Sequence, residues 1–377
     1  MNNKIAIVRT SSSSLNPQGY NIQEIGMAKE LIKLGYTVDF YSRFQNIKSE
    51  IVLDSCNGNT LSLIPLNGIT IWKEIIIFPS LIDTLISKKY DFVQVHDDTQ
   101  FMNPFIVRVC KQNGSKTILI QGMYRGYAGL KAFFQKTFDF FLKNMLIKYT
   151  DLVFAKTNYA KEYLEQKGYK NILDYPIGLD IVTPEENNFL ERQISHFANQ
   201  HTHVMLYIGV IDQRRDVGFL IDLLAELNTN DDKIGLVIVG RGVGLDEVNH
   251  KILQYNLRKN VLYFDFVKNN NMHILYKYAQ VSLLPTKYEI WGMVILESLY
   301  YGVPVIATLE AGPKEILVDK DYGRVVSESQ PEIWIEAIID YLKSYNYSNS
   351  KKNRMKYIEI KYNWQILANS FINNLEF

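Results

Sequence analysis

Short runs of β-branched and aromatic residues alternate with amphipathic stretches along this chain, and the alternation starts twice. In the first half Ile5–Val8, Thr37–Tyr41, Phe92–His96, Thr117–Ile120 and Leu152–Ala155 read as strands, and Gln23–Leu34 reads as a helix stopped by Gly35. The second half sets out afresh with Val204–Ile208, Gly235–Val239, Val261–Tyr263, Val281–Leu284 and Val303–Ala307 as strands, with helical stretches between them. Strands that alternate with helices pair in parallel, because a parallel neighbour is reached only by a crossover that packs on the sheet. A length of 377 residues is enough for two such cores. The predicted class is therefore α/β, with two wound parallel-sheet domains at 1–182 and 183–360 and the polar stretch Thr183–Thr202 as the linker region.

Charge is balanced, with 41 Lys and Arg against 40 Asp and Glu. No global field favours nucleic acid, and no nucleic-acid partner is expected. Cys56 and Cys110 stand alone without CxxC spacing and read as buried, reduced thiols of a cytosolic protein. The apolar run near the start is too short for a signal peptide, and no stretch reaches 18 uninterrupted apolar residues. The expected location is cytoplasmic, either soluble or at the inner face of the plasma membrane.

Two carboxylates carry the most chemistry. The strand Val281–Leu284 ends at Pro285, and the segment Tyr288-Glu289-Ile290-Trp291-Gly292-Met293-Val294-Ile295-Leu296-Glu297 follows. Its apolar part, up to Tyr301, reads as a helix stopped by Gly302. Glu289 then lies in a strand-to-helix loop and Glu297 inside the helix that the loop opens. The first free N–H groups of that helix lie between them, and helix N-termini attract phosphate. A carboxylate accepts two hydrogen bonds from a vicinal diol, as acidic residues do with ribose in dinucleotide folds. Phosphate flanked by two diol-binding acids describes a nucleotide-sugar; the plain alternative is a solvated structural pair.

This segment, together with Gly302-Val303-Pro304-Val305-Ile306-Ala307, resembles the retaining glycosyltransferases of family 4 (glycosyl transferases group 1). The family pattern is Glu, any residue, Phe, Gly, and a second Glu eight positions after the first; Trp291 stands where Phe is usual. The resemblance extends over most of the chain and is most specific between Leu206 and Gly323. It implies the GT-B fold, two Rossmann-like domains facing a cleft. The first, 1–182, would take the acceptor and be joined by a C-terminal helix, 361–377, after Tyr362-Asn363-Trp364; the second, 183–360, would take the donor.

The resemblance further implies that Glu297 binds the ribose hydroxyls and Glu289 the sugar hydroxyls, with the backbone of Trp291, Gly292, Met293 and Val294 on the sugar and diphosphate. In Tyr207-Ile208-Gly209-Val210-Ile211-Asp212-Gln213-Arg214-Arg215 the family usually has Arg after Gly209 and a Lys six residues beyond it. Val210 and Arg215 occupy those places, with Arg214 alongside, and the two guanidinium groups would clamp the departing diphosphate. Two solvated arginines at a helix entrance are the alternative. Gly240-Arg241-Gly242-Val243-Gly244 resembles the family's Gly-rich turn near the nucleobase, which places Gly240 and Arg241 at the donor. The GxGxG spacing alone is a weak signal.

Candidates for the acceptor or phosphate loop lie in the first half: Gly19 and Tyr20 in the turn after the first strand, His96 at a strand end, and Gln121 with Arg125 after a later strand. Ligands bind at strand C-termini in open α/β sheets, although a lone His is often structural and Gly19 also suits an ordinary βα loop. Family members often carry a His where Gln121 stands; Gln hydrogen-bonds a hydroxyl but does not titrate. Neither His96-Asp97-Asp98 nor Asp319-Lys320-Asp321 makes a convincing metal set, and the resemblance implies no metal or other cofactor beyond the nucleotide-sugar co-substrate.

The stretch 128–149 reads as one helix with a polar stripe at Lys131, Gln135, Asp139 and Lys143 and many phenylalanines elsewhere. Lys131, Lys136, Lys143 and Lys148 oppose a single Asp139. Such a helix is either a buried crossover or a peripheral membrane contact that brings a lipid-linked acceptor near.

The resulting expectation is a retaining glycosyltransferase moving a sugar from a nucleotide-sugar to a saccharide or polyprenyl-linked acceptor, in bacterial surface polysaccharide biosynthesis. Its rivals are a GT-B sugar-nucleotide epimerase or hydrolase and a non-catalytic nucleotide-sugar-binding subunit. An NAD oxidoreductase is disfavoured because Thr10–Gly19 lacks the glycine fingerprint.

Overall fold

The computed structural model describes every residue except 1, 2, 18, 20, 21, 73, 74, 127, 128, 230–232, 328, 329, 345–347, 376 and 377. It divides into two compact units, residues 1–180 with 363–377, and residues 181–362.

The first unit runs β1 (Lys4–Val8), α1 (Gln23–Lys33), β2 (Thr37–Ser42), β3 (Ile51–Cys56), β4 (Asn59–Pro65), β5 (Ile69–Trp72), β6 (Ile75–Ile77), α2 (Leu81–Lys88), β7 (Phe92–His96), α3 (Asn103–Gln112) and β8 (Lys116–Gln121). It continues with α4 (Leu130–Phe138), α5 (Asn144–Tyr149), β9 (Leu152–Ala155), α6 (Asn158–Gln166) and β10 (Ile172–Asp174). Among the described residues its sheet has the order β10-β9-β8-β7-β1-β2-β4-β3, parallel apart from the β3–β4 hairpin. Ile5, Ala6, Ile7 and Val8 are fully buried, as a central strand covered on both faces requires. Gly35, at φ +95°, ends α1, and Tyr36 N–H returns to the Leu31 carbonyl at 3.0 Å in a Schellman closure.

The second unit runs α7 (Asn188–Asn199), β11 (His203–Ile208), α8 (Val217–Leu227), β12 (Ile234–Val239), α9 (Leu245–Gln254), β13 (Val261–Phe264), α10 (Met272–Tyr278) and β14 (Val281–Leu284). Then come α11 (Met293–Tyr300), β15 (Val305–Thr308), α12 (Ala311–Ile316), β16 (Gly323–Val326), α13 (Pro331–Ser344) and α14 (Ser348–Lys361). Its sheet order is β13-β12-β11-β14-β15-β16, parallel throughout among the described residues. The strand pleat splits the core: Met205 and Tyr207 face the side packed by α8 and α13, while Val204 and Leu206 face the side packed by α7 and α10. The last helix, α15 (Trp364–Leu375), belongs to the first unit. It buries Trp364, Leu367, Ala368, Phe371 and Leu375. Trp364 rests on Gly26 and Gly178, where no Cβ would fit, and Phe371 packs on Phe154 and Tyr175.

Three local expectations are corrected. The stretch Thr183–Thr202 is not a linker: it holds α7, capped by Asn187 Oδ1 at 3.1 Å from Leu190 N, with Leu190, Ile194 and Phe197 in the core. Its polar residues mark the outer face of an amphipathic helix. The predicted helix over 128–149 is interrupted by a π turn at Asp139–Lys143, between α4 and α5. Gly302, at φ +82°, delays the strand after α11, so it starts at Val305 rather than Val303. No helix among the described residues is long and apolar enough to cross a membrane.

Candidate donor site

In the second unit the chain lays β12 and β13 on one side of β11, then returns to lay β14, β15 and β16 on the other. The order reverses between β11 and β14. Ligands of open α/β sheets bind outside the strand C-termini at such a reversal, because the two loops there diverge. The loop after β11 carries Arg214 and Arg215; the loop after β14 carries Glu289.

Those loops meet. Arg215 Nη1 pairs with Glu289 Oε2, the two side chains being 15% and 12% exposed, and Arg214 Nη1 lies 3.8 Å from the same oxygen. Arg214 Nη1 also donates to the Tyr288 carbonyl at 2.8 Å, and Lys287 N–H to the Arg214 carbonyl at 2.9 Å. Asp212 Oδ1 accepts from Arg215 N–H at 2.9 Å, which fixes the turn that presents both arginines. Arg215 Nε, buried, has no hydrogen-bond partner among the described residues. Burial pushes the Tyr207 phenol up, against the pull of Arg215, and its hydroxyl donates to the Val210 carbonyl at 2.7 Å.

Gly292, at φ +90°, turns the chain into α11, a conformation that disfavours a side chain. Ile295 N–H is returned to the Gly292 carbonyl at 2.8 Å, and no side chain caps the helix. Among the described residues the Met293 and Val294 amides make no hydrogen bond, and they lie at the positive end of the helix dipole. Trp291 N–H reaches Glu289 Oε1 at 3.4 Å, and the buried indole packs edge-on against Tyr362, 5.9 Å between centroids. Glu297 is 7% exposed on α11, with Tyr276 Oη 3.5 Å from its Oε2. Tyr301, pushed up to about 12 by burial, Tyr300 and Glu297, stacks on Tyr276.

The glycines after β12 serve backbone packing. A Cβ on Gly240 would overlap the Gly209 carbonyl, and one on Gly242 the Ile211 carbonyl. Their absence lets the β12 loop lie on the β11 loop, with Ile211 N–H on the Arg241 carbonyl at 2.9 Å. The Arg241 side chain, 69% exposed, turns to Asp265 at 3.5 Å and to the Phe266 ring.

In the first unit, His96, Gln121 and Gly19 all sit at strand C-termini or in the loop after β1, but they are not one open cluster. His96 is 5% exposed, between Gln94 Nε2 at 2.8 Å from its Nε2 and Glu24 Oε1 at 3.6 Å from its Nδ1. Burial pushes its imidazole down to about 4, Lys156 adding to the push and Glu24 opposing it. Glu24 would be raised by burial, yet His96, Arg9 and Lys156 hold it below the usual carboxylate range. Gln121 is fully buried; its Nε2 donates to Asp98 Oδ1 at 3.2 Å and to the Met123 carbonyl at 2.9 Å, and its Oε1 accepts from Asp98 N–H at 2.8 Å. This correction follows from geometry: with both ends of the amide engaged, Gln121 ties β8 to the loop after β7 and has no exposed group for a hydroxyl. Gly19 N–H closes a turn on the Asn16 carbonyl at 2.9 Å, and Arg125 is exposed over the Tyr124 ring. Tyr20 lies outside the described residues.

Several residues here were not singled out in the sequence. Glu24, an acid on the apolar stripe of α1 with Ala28 and Leu31, is such a departure from amphipathic patterning, and that was its signal. Lys156 follows a strand end directly. Gly312 left no signal: its approach to the Trp291 backbone, where a Cβ would overlap the carbonyl, is purely tertiary.

Two wound parallel-sheet units with this loop chemistry define the GT-B class of glycosyltransferase folds. Residues 189–364 match the sequence model of the family described as Glycosyl transferases group 1. An uncharacterised glycosyltransferase of Methanocaldococcus jannaschii is 26% identical over 211 residues, 54% of this chain and 52% of that protein. The chain thus spans about half the length of that relative. An uncharacterised 41.2 kDa protein in the cps region of Klebsiella pneumoniae is 22% identical over 306 residues, 78% of this chain and 81% of that one. Among solved structures, Anabaena HepE in complex with UDP superposes with a TM-score of 0.74 at 14% identity, covering 99% of each chain.

Proposed function

We propose that the protein is a retaining glycosyltransferase that moves a sugar from a nucleoside-diphosphate sugar to a saccharide or lipid-linked acceptor in bacterial surface polysaccharide assembly. The observation that carries this is the Arg215–Glu289 pair at the β11/β14 reversal, set beside the open amides of α11. The diphosphate sits on the amides of Met293 and Val294 and on the two guanidinium groups, Glu297 takes the ribose diol, and Glu289 the sugar hydroxyls. In the reaction the bond between the anomeric carbon and the phosphate oxygen breaks and the acceptor oxygen bonds from the same face. The departing phosphate oxygen takes the acceptor proton, so no enzymic nucleophile is needed. Arg215 and Arg214 neutralise the charge that grows on the leaving diphosphate, which is preorganised electrostatic catalysis, and no metal is assigned a role. A surface-polysaccharide setting is supported by the cps-region relative, and a uridine nucleotide by the UDP held in the HepE structure.

The test is a thermal-shift screen of nucleoside-diphosphate sugars, followed by product analysis with and without saccharide acceptors. A stabilising donor and a glycosylated product retaining the anomeric configuration are expected. Turnover of donor alone to an isomer or free sugar would identify the epimerase or hydrolase. Binding without any turnover would identify a non-catalytic subunit.

A further inference from the structure

Phe133, Phe140 and Phe141 are 67%, 77% and 69% exposed, although each stands in or beside the interrupted helix over 130–149. A phenylalanine carries about 200 Å² of side-chain surface, so roughly 400 Å² of aromatic surface lies open. A patch of that size on a monomer is often functional. All three stand within nine residues of one helical segment, Phe133 in α4 and Phe140 and Phe141 in the π turn that follows it. The π turn at Asp139–Lys143 sets the rings of Phe140 and Phe141 edge to face, 4.9 Å apart. Such turns are rare and recur at functional sites.

Charge decides what the patch fits. Lys136 and Lys148 are exposed and Lys143 half-buried. The only acid of the segment, Asp139, is turned inward to Lys167 at 3.0 Å, which also holds the buried Asp98 at 2.6 Å. The face therefore offers phenylalanines flanked by lysines, with its carboxylate withdrawn. Aromatic side chains entering the acyl boundary while ammonium groups meet anionic headgroups is the chemistry of an interfacial helix.

We infer that the Phe133–Phe140–Phe141 face docks on an anionic lipid bilayer. This deepens the reading of a lipid-linked acceptor, but its readout is binding and not catalysis. The experiment is co-flotation of the full chain with vesicles of phosphatidylcholine alone or with about one third phosphatidylglycerol, at low and high salt, for wild type, Phe140→Ser/Phe141→Ser and Lys136→Glu/Lys143→Glu. Wild type should float with the anionic vesicles, weaken in high salt, and bind neutral vesicles poorly. Each double variant should bind at least tenfold more weakly while keeping the wild-type melting temperature and nucleotide response. Failure of the wild type to float, or flotation of the Phe variant as well as wild type, overturns the inference. So does sedimentation showing that the patch instead holds a dimer that Phe140→Ser/Phe141→Ser dissolves. Should flotation succeed while no nucleoside-diphosphate sugar binds, the bilayer face stands and the transferase reading fails.

Discussion

On the proposed reading, Glu289→Gln separates two tasks of one carboxylate, pairing with Arg215 and holding the donor sugar. The Glu289 carboxylate pairs with Arg215 and lies 3.8 Å from Arg214, so on the proposed reading it occupies the cations that the diphosphate would use. A hydrogen bond to a charged group is worth about 1.5–3 kcal/mol, and the Gln amide, which leaves Arg215 as the one charged partner, keeps only part of it. Replacing carboxylate by amide then lowers the competition for Arg215 by about 1–2 kcal/mol. With both side chains mostly buried, solvent screens little of this. A nucleoside diphosphate should therefore bind the variant roughly 5- to 30-fold more tightly. The intact donor gains the same relief but loses the bond between Glu289 and its sugar hydroxyls, so its affinity stays level or falls, and turnover drops. Calorimetry with the nucleoside diphosphate and with its sugar conjugate, on wild type and variant, reads both. Unchanged or weaker binding of the bare diphosphate would refute the idea that Glu289 and the leaving group compete for Arg215.

Four further outcomes are expected. Arg215→Ala should reduce kcat/KM by about 1.5–3 kcal/mol of transition-state stabilisation; wild-type kinetics would move the clamp elsewhere. Glu297→Ala should weaken nucleoside-diphosphate binding about tenfold or more by removing charged bonds to the ribose, and unchanged calorimetric affinity would remove that role. Gly312→Ala places a Cβ in the Trp291 carbonyl and should displace the 289–292 loop, lowering donor affinity with little loss of global stability; normal affinity would show that the loop tolerates the shift. His96 is held neutral down to about 4 when folded but protonates near 6.5 when unfolded, so the unfolded chain binds more protons between those values. Stability present above pH 6.5 should fall by roughly 3 kcal/mol as pH drops towards 4, and His96→Gln should flatten that slope in chemical denaturation; an equal slope in both proteins would assign it to other groups.

Much of this arrangement was legible because it is local. Phe92–His96, Leu152–Ala155 and Val281–Leu284 were readable to the residue: their apolar runs are bounded by turn-forming or polar residues. The Arg215–Glu289 meeting was implied only by resemblance, since nothing local says that loops 74 residues apart touch. The β3–β4 hairpin escaped notice because its outer strand is exposed and its alternation is weak, with Ile51, Val52 and Leu53 open to solvent. The α7 segment was misread for the opposite reason: three buried apolar residues in twelve are a thin stripe among Asn, Glu, Arg and His. Gln121 was misassigned because a strand-end position says where a residue lies, not whether its amide is already engaged.

The two units share a topology, and charge accounting explains why the donor is assigned to the second. Both sheets reverse order beside their first strand, β1/β7 in one and β11/β14 in the other, so each offers a crevice at its strand C-termini. In the first unit that edge is compensated from within. Arg9 and Lys156 face Glu24 and Asp97, with His96 neutral between them. Asp97, at φ +58°, is held by accepting from Gly122 N–H at 3.0 Å, while Asn103 Nδ2 donates to its carbonyl at 2.7 Å. An incoming dianion would have to break a buried network whose remaining charges would then be unpaired, a cost of several kcal/mol. In the second unit Arg214 and Arg215 share Glu289, Asp212 accepts from the Arg215 amide, and the Met293 and Val294 amides make no competing bond among the described residues. Two guanidinium groups and a helix N-terminus thus converge on one sheet edge there. On the proposed reading a diphosphate takes that edge, whereas the first edge, its charges already compensated from within, suits uncharged hydroxyls.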